Sequence, residues 1–303
     1  MDFYDLPGQD QWQTCTLLDK GWSNDTKYVI TTKTEDQRLL RISAGSEYLR
    51  KAEEYQVLVR LSKLNLPISR PIDFGYCRNQ TQVYTLLTWM PGEDLALNLP
   101  KFSMKKQYEL GLESGLILKE LHSVEAPKDL SVWSDKFNKK IDRTIKRYKE
   151  CPYQVEGLDA VIDYLNTNRS YLANRPLSFH HGDYHCGNMT LTDDGGLSII
   201  DFNRFDYGDP WEEFNRIVWD VALSHAFANG RLHGYFNGEP PDLFFRLLAL
   251  YVGNNILASI PWAMSFDQKE LEVMQDQAKA VLKWYDGYKT YYPSWYRVAN
   301  STQ

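Results

Sequence analysis

Three polar side chains in the stretch Phe179 to Asp201, FHHGDYHCGNMTLTDDGGLSIID, are of the types and spacing that could do chemistry: Asp183, Asn188 and Asp201. Aspartate and asparagine oxygens are hard donors suited to magnesium, and a spare carboxylate can accept a proton from a hydroxyl. The residues between them say how they would be positioned. The chain turns at Gly182 into Asp183. Asn188 precedes an alternating run, Met189 to Leu191. A turn cluster follows (Asp193, Asp194, Gly195, Gly196), and then a β-branched strand, Leu197 to Ile200, that ends on Asp201. This pattern predicts a loop followed by a β-hairpin, with Asn188 and Asp201 at one end and Asp183 on the loop beside them. Acids near a hairpin are more often plain turn residues, so the carboxylates alone decide nothing. His181 and His185 have the i, i+4 spacing of zinc ligands on a helix, but Gly182 and the turn residues oppose that helix. His185 is expected to order the loop by hydrogen bonding, and His181 to face the core.

The rest of the chain must build a frame for this stretch. At 303 residues it is long enough for two lobes or subdomains, each with its own core. Hydrophobic residues make up 43% and charged residues 24%, ordinary values for a soluble globular protein. No run of eighteen apolar residues suggests a membrane span, and the acidic, polar start MDFYDLPGQD does not read as a secretory leader. Cys15, Cys77, Cys151 and Cys186 are widely spaced without a CxxC pair, which reads as free thiols in a cytoplasmic protein. The net charge of −6 falls wholly in residues 93–303, a distribution that disfavours nucleic acid and mildly favours a cationic small molecule.

Taken in order, residues 14–43 read as three short strands, with a loop from Gly21 to Asp25 after the first. Gly21, Ser23 and Asn24 can offer backbone amides and a hydroxyl to an anion, although the loop lacks a GxGxxG pattern and also reads as an ordinary hairpin loop. Arg41 lies on an apolar strand, where a cation wants an anionic partner. Helical spacing runs from Ser46 to Lys63 and carries Glu53 and Glu54. Pro67, Pro71 and Gly75 punctuate the exit, and Gln82 to Met90 is a β-rich run stopped by Pro91-Gly92. From Ser103 onward the pattern is mainly helical: 103–122, a strongly basic amphipathic segment over 131–150, 156–173, and two helices over 240–286. The basic segment reads as a solvated helix face. After Asp201, the residues Asp209, Pro210 and Glu212 have capping-box spacing, whereas Asp206, Glu213 and Asp220 are candidates for an acidic acceptor site. Trp284, Tyr285, Tyr288, Tyr291, Tyr292, Trp295 and Tyr296 read first as a packed face and second as a cation–π surface.

The motif HGDxHxxN at His181 to Asn188, followed by Ile200-Asp201-Phe202, resembles the aminoglycoside phosphotransferase family, which shares its architecture with choline kinases. It is also similar to the H-R-D-x-x-x-x-N layout of protein kinases, with Gly182 in place of Arg. Gly208 to Phe214, GDPWEEF, extends the resemblance to the family. The resemblance implies an α+β, bilobal protein-kinase-like fold with a small β-rich N-lobe (1–90, nucleotide-binding) and a larger helical C-lobe (91–303, catalytic loop and acceptor site). It implies Asp183 as the catalytic base or hydroxyl-orienting group, and Asn188 and Asp201 as Mg2+ ligands. It places Arg41, paired with Glu54, on the phosphates beneath the loop of Ser23 and Asn24, and the adenine on the backbone of Thr88, Trp89 and Met90. The implied reaction moves the γ-phosphate of ATP or GTP to a hydroxyl of a small molecule, an aminoglycoside-type antibiotic or similar cationic metabolite. The alternatives are a choline, amino-alcohol or sugar kinase, a nucleotide-binding pseudokinase and a metal-dependent hydrolase. Neither a nucleic-acid nor a membrane partner is expected.

Overall fold

The structure is a computed structural model describing residues 5–19 and 25–298. In chain order the elements are β1 (Trp12–Leu18), β2 (Thr26–Thr32), β3 (Gln37–Ala44), α1 (Tyr48–Leu61), β4 (Pro71–Cys77), β5 (Gln82–Thr88), β6 (Glu93–Asp94) and α2 (Leu95–Asn98). Next come α3 (Met104–Leu121), α4 (Trp133–Glu150), α5 (Leu158–Thr167), β7 (Ser178–His180), β8 (Met189–Leu191), β9 (Leu197–Ile199) and β10 (Asp206–Gly208). The chain ends with α6 (Ile217–Leu223), α7 (His225–Phe236), α8 (Asp242–Ala263) and α9 (Gln268–Trp284). These elements form two compact units, one of residues 1–93 with 189–203, the other of residues 94–188 with 204–303.

The first unit is built on a five-stranded antiparallel sheet of order β1-β2-β3-β5-β4. β2 alternates as a half-buried strand should, with Tyr28, Ile30 and Thr32 inward. β5 is buried continuously from Val83 to Leu87, and α1 packs on it and on β4 through Val57, Leu58 and Leu61. The sequence pattern does not predict β4, because Pro71 and Gly75 read as breakers. The strand lies at the sheet edge and begins on Pro71, where a missing N–H costs no ladder bond. The predicted hairpin is present: β8 and β9 pair antiparallel with Met189 opposite Ile199 and Leu191 opposite Leu197.

The second unit is helical, and its tightest contact is between α3 and α7. Gly111 and Gly115 on one helix face Gly230 and Gly234 on the other. A Cβ at Gly111 would strike the Phe227 carbonyl, and one at Gly230 the Tyr108 carbonyl, so the two backbones touch where any side chain would hold them apart. α4 buries Trp133, Phe137, Ile141, Thr144 and Tyr148 along one face. Its lysines and arginines fall between these positions, as a solvated basic face requires. α8 is long and apolar enough by length and composition to cross a membrane, but 72% of its most apolar window is packed inside the protein, as in a core helix. Among the C-terminal aromatic residues Tyr285 and Trp295 are buried, the Tyr288 hydroxyl donates to the Ala249 carbonyl on α8 (3.1 Å), and Tyr291 and Tyr292 donate to Asp242 at its start.

Candidate active site

In the first unit, Arg41 on β3 and Glu54 on α1 meet as an ion pair, Nη1 to Oε1 at 2.9 Å, with both side chains buried. Two further charged groups, Asp25 and Lys51, join this pair. Asp25, at the foot of β2, accepts from Arg41 Nη2 (2.6 Å) and Nε (3.0 Å), from Ser43 Oγ (2.8 Å) and from Lys51 Nζ (2.7 Å). Lys51, one turn before Glu54 on α1, also reaches it at 3.3 Å. Burial works to raise the Asp25 carboxyl, but Arg41, Lys51 and Ser43 outweigh it and hold the pKa at about 2. Asp201 lies 3.8 Å from Arg41 Nη1 and takes a left-handed backbone, φ 68°, a region sparsely used by residues other than glycine. Three anionic groups therefore surround one guanidinium. Ser23 and Asn24 lie outside the described residues. At the end of β5, Thr88 N–H donates to the Arg70 carbonyl (2.9 Å) and Trp89 N–H to the Gln37 carbonyl (3.3 Å). Of the three residues expected at the adenine, Met90 has no hydrogen bond from its N–H to any of the described residues.

In the second unit, Asp183 sits in a loop fixed from several sides. Gly182 has φ 84°, and a Cβ there would collide with the Arg204 backbone, so only glycine fits the turn. The Glu213 carboxylate accepts the N–H of His181 (2.7 Å) and of Gly182 (2.8 Å). The Asn188 amide donates to the Asp183 carbonyl (2.9 Å), and His185 Nδ1 accepts the Gly187 N–H (3.1 Å). Further along, Asp220 accepts the Cys186 N–H (2.8 Å) and is paired with Arg231, which also donates to the Tyr184 carbonyl (3.2 Å) and Ser114 Oγ (3.1 Å). α7 thus carries the buried cation that holds the loop, and the α3–α7 glycine contact fixes where α7 lies.

The Asp183 carboxylate itself faces Arg216 Nε at 3.1 Å, Arg204 Nη1 at 3.6 Å and His185 Nε2 at 3.7 Å. Burial alone would raise its pKa. The His185 imidazole and the two guanidinium groups outweigh that and hold the carboxyl well below the usual range. Asp183 is therefore held ionised near neutral pH, suited to orienting a hydroxyl and to receiving its proton in passing.

Glu213 and Asp220, expected in an acidic acceptor site, are instead 2% and 0% exposed and both accept loop N–H groups. Asp206 alone of the three is exposed, on β10, paired with Lys136 at 2.8 Å. Asp209 and Glu212 do not form a capping box. Asp209 is buried in a two-point pair with Arg175 (2.7 and 3.0 Å), receives the Tyr251 hydroxyl (2.6 Å), and holds only the Trp211 N–H of the following turn (3.0 Å). Glu212 pairs with Lys140 at 2.8 Å. The turn it opens, Glu212–Arg216, is a 3₁₀ helix. His181 is fully buried and His185 orders the loop, as expected, and no cluster of three or more metal-binding side chains occurs among the described residues. Cys186 is a packed residue whose thiol is pushed up by burial.

Comparison with known proteins places this geometry. A family model described as the phosphotransferase enzyme family, APH, matches residues 14–245. No curated protein matches the chain significantly. Among solved structures, the apo form of a thermostable mutant of aminoglycoside phosphotransferase APH(4)-Ia matches with a TM-score of 0.68 at 15% identity, covering 92% of this chain and 96% of that one. The ternary complex of such a mutant with ADP and hygromycin B gives 0.66 at 16% identity, covering 89% and 94%. ADP-bound aminoglycoside phosphotransferase APH(2'')-Ib gives 0.62 at 17% identity, again covering 89% and 94%. These likenesses show a shared α+β, kinase-like fold. With the family model spanning most of its length, the chain belongs to the phosphotransferase enzyme family.

Proposed function

We propose that this protein transfers the γ-phosphate of a nucleoside triphosphate, ATP or GTP, to a hydroxyl of a small molecule. The observation that carries the reading is the setting of Asp183: an ionised carboxylate at the tip of a loop whose flanking N–H groups are held by Glu213 and whose own carbonyl is held by Asn188. Asp183 orients the acceptor hydroxyl and takes part in removing its proton. Arg41, braced by Glu54 and Asp25, faces the phosphates. Phosphoryl transfer rests mainly on positioning and charge neutralisation, and these groups supply both.

Magnesium fits the donors available. Asn188 has its amide N–H engaged on Asp183, which leaves its Oδ1 as the free end, and Asp201 is a partly exposed carboxylate. Magnesium on a nucleotide takes one or two protein oxygens and completes its shell with phosphate and water, so no three-residue cluster is required. Bound there, it would neutralise the phosphate charge. The structures that are similar to this chain include complexes with ADP, AMP-PNP, hygromycin B and gentamicin. Of the acids expected at a cationic acceptor, Glu213 and Asp220 are buried on the loop backbone and Asp206 is exposed but paired with Lys136. Turnover of Mg-ATP and Mg-GTP against a panel of hydroxyl acceptors, with Asp183→Asn as control, tests the reading. Transfer that persists in that variant would remove Asp183 from its role.

A further inference from the structure

The charge around Asp183 is the reverse of what a cationic acceptor needs. Within the second unit its carboxylate is flanked by Arg216 Nε on Oδ1 (3.1 Å) and Arg204 Nη1 on Oδ2 (3.6 Å). Among the described residues neither guanidinium has a second carboxylate within ion-pair distance, so two positive charges share one negative. The nearby acids of this unit are occupied. Glu213 is turned to the loop N–H groups, Asp220 to Arg231, Asp209 to Arg175, Glu212 to Lys140 and Asp206 to Lys136. Arg216 Nε is buried without an aligned hydrogen bond, since its approach to Asp183 has the distance of an ion pair but not the angle of a hydrogen bond. Arg204 is 46% exposed and reaches solvent beside the same carboxylate.

We propose that the acceptor carries a carboxylate or phosphate close to the hydroxyl it presents to Asp183, and that Arg204 and Arg216 bind that group. Guanidinium forks match such anions in shape and charge, and the surplus positive charge repels an ammonium-bearing acceptor. The proposal rests on the phosphotransferase reading of Asp183 and names its substrate class. In the reaction the acceptor oxygen forms a bond to the γ-phosphorus. The bond from that phosphorus to the bridging oxygen breaks, and its electron pair leaves with the nucleoside diphosphate. The hydroxyl proton passes by way of Asp183 to solvent. The transferring phosphoryl group offers the arginines the same chemistry as an anionic acceptor, and the test separates the two sources.

The full chain is assayed with Mg-ATP and Mg-GTP against matched acceptors: glycerate and glycerol 3-phosphate against glycerol, homoserine against 3-aminopropanol, glucose 6-phosphate against glucose, and kanamycin. Transfer is expected on anionic members, with kcat/KM at least about tenfold above that of the neutral or cationic partner. Arg204→Gln and Arg216→Gln should each raise KM for the anionic acceptor about tenfold, well beyond any fall in acceptor-free nucleotide hydrolysis. Equal use of neutral or cationic partners overturns the proposal. So does an equal loss in acceptor-free hydrolysis, which would give the arginines to the transferring phosphoryl group. Titration calorimetry with inorganic phosphate decides independently of turnover. Affinity should weaken in Arg204→Gln and Arg216→Gln and tighten in Asp183→Asn, which removes the internal counter-ion. The same affinity in all four proteins, or no binding to the wild type, overturns the clamp. Absence of Asp183-dependent transfer to any acceptor would instead strike the phosphotransferase reading, with the phosphate titration still deciding the clamp. Arg204, being half exposed, keeps the test valid if Arg216→Gln folds poorly.

Discussion

Glu213 holds the Gly182 N–H at 2.8 Å from a fully buried position, and its other oxygen holds the neighbouring His181 N–H. Burial would raise this carboxyl, but His122, His180 and His181 outweigh it and bring the pKa to about 2. A depressed carboxyl contributes stability that is complete above its unfolded value of 4.5 and is lost as pH falls toward 2. Replacing the acid with Glu213→Gln should remove one acceptor and set an amide N–H against a backbone donor, costing about 2–4 kcal/mol. Denaturant titration at pH 7 and pH 3 checks this, and the difference between wild type and variant should shrink at the lower pH.

Asp183→Asn should lower kcat by roughly 10²–10⁴-fold with nucleotide binding retained. Because the wild-type carboxyl lies well below its ordinary 3.8, protonation of Asp183 should produce no acid limb in kcat/KM between pH 5 and 8. Arg216→Gln removes part of the depression, so any acid limb should move upward in that variant. A pH–rate profile of both proteins settles the direction.

Asp25→Ala should destabilise the first unit by about 3 kcal/mol, because it leaves Lys51 buried on Glu54 alone and Arg41 with only Glu54 and the more distant Asp201. The loss should be smaller in a Lys51→Met background, which removes one of the stranded charges. A double-mutant cycle by thermal or chemical unfolding reads the coupling. Independent, additive losses would mean that Asp25 and Lys51 do not support each other.

Asp201→Ala should abolish the extra thermal stabilisation that magnesium gives to nucleotide binding. Thermal shifts with ATP alone and with Mg-ATP provide the comparison. An unchanged magnesium increment would take Asp201 out of the metal assignment.

Gly111→Ala and Gly230→Ala should each cost about 1–3 kcal/mol, because each inserts a methyl between backbones already in contact. Lower melting temperatures should be accompanied by lost turnover in Gly230→Ala, since α7 also carries Arg231.

Local pattern makes part of this molecule legible in sequence. Alternation marks β2, turn residues mark the β8–β9 hairpin, and the HGDxHxxN spacing isolates Asp183 and Asn188. Long-range pairing hides the rest. Asp25 reads as the end of a polar loop, and its partners Arg41, Ser43 and Lys51 come from 16 to 26 residues away. Glu213 and Asp220 read as acids of an acceptor site until the backbone donors they serve are brought across 31 to 34 positions. Lys51 lies on a helix whose spacing shows an apolar face but not a buried cation. β4 is obscured by Pro71 and Gly75, whose cost depends on being at the sheet edge, and edge position is a property of the assembled sheet.

The glycine contact between α3 and α7 also limits how the second unit can move. Two helices meeting at Gly111 and Gly115 against Gly230 and Gly234 interlock at four-residue steps, so a small slide drives backbone into backbone and the next matching position is a helical turn away, about 5.4 Å. α7 is therefore either in register or out of it, with no gradual intermediate. Arg231 rides on that helix and grips the loop at Tyr184, and so the placement of Asp183 inherits the same discreteness.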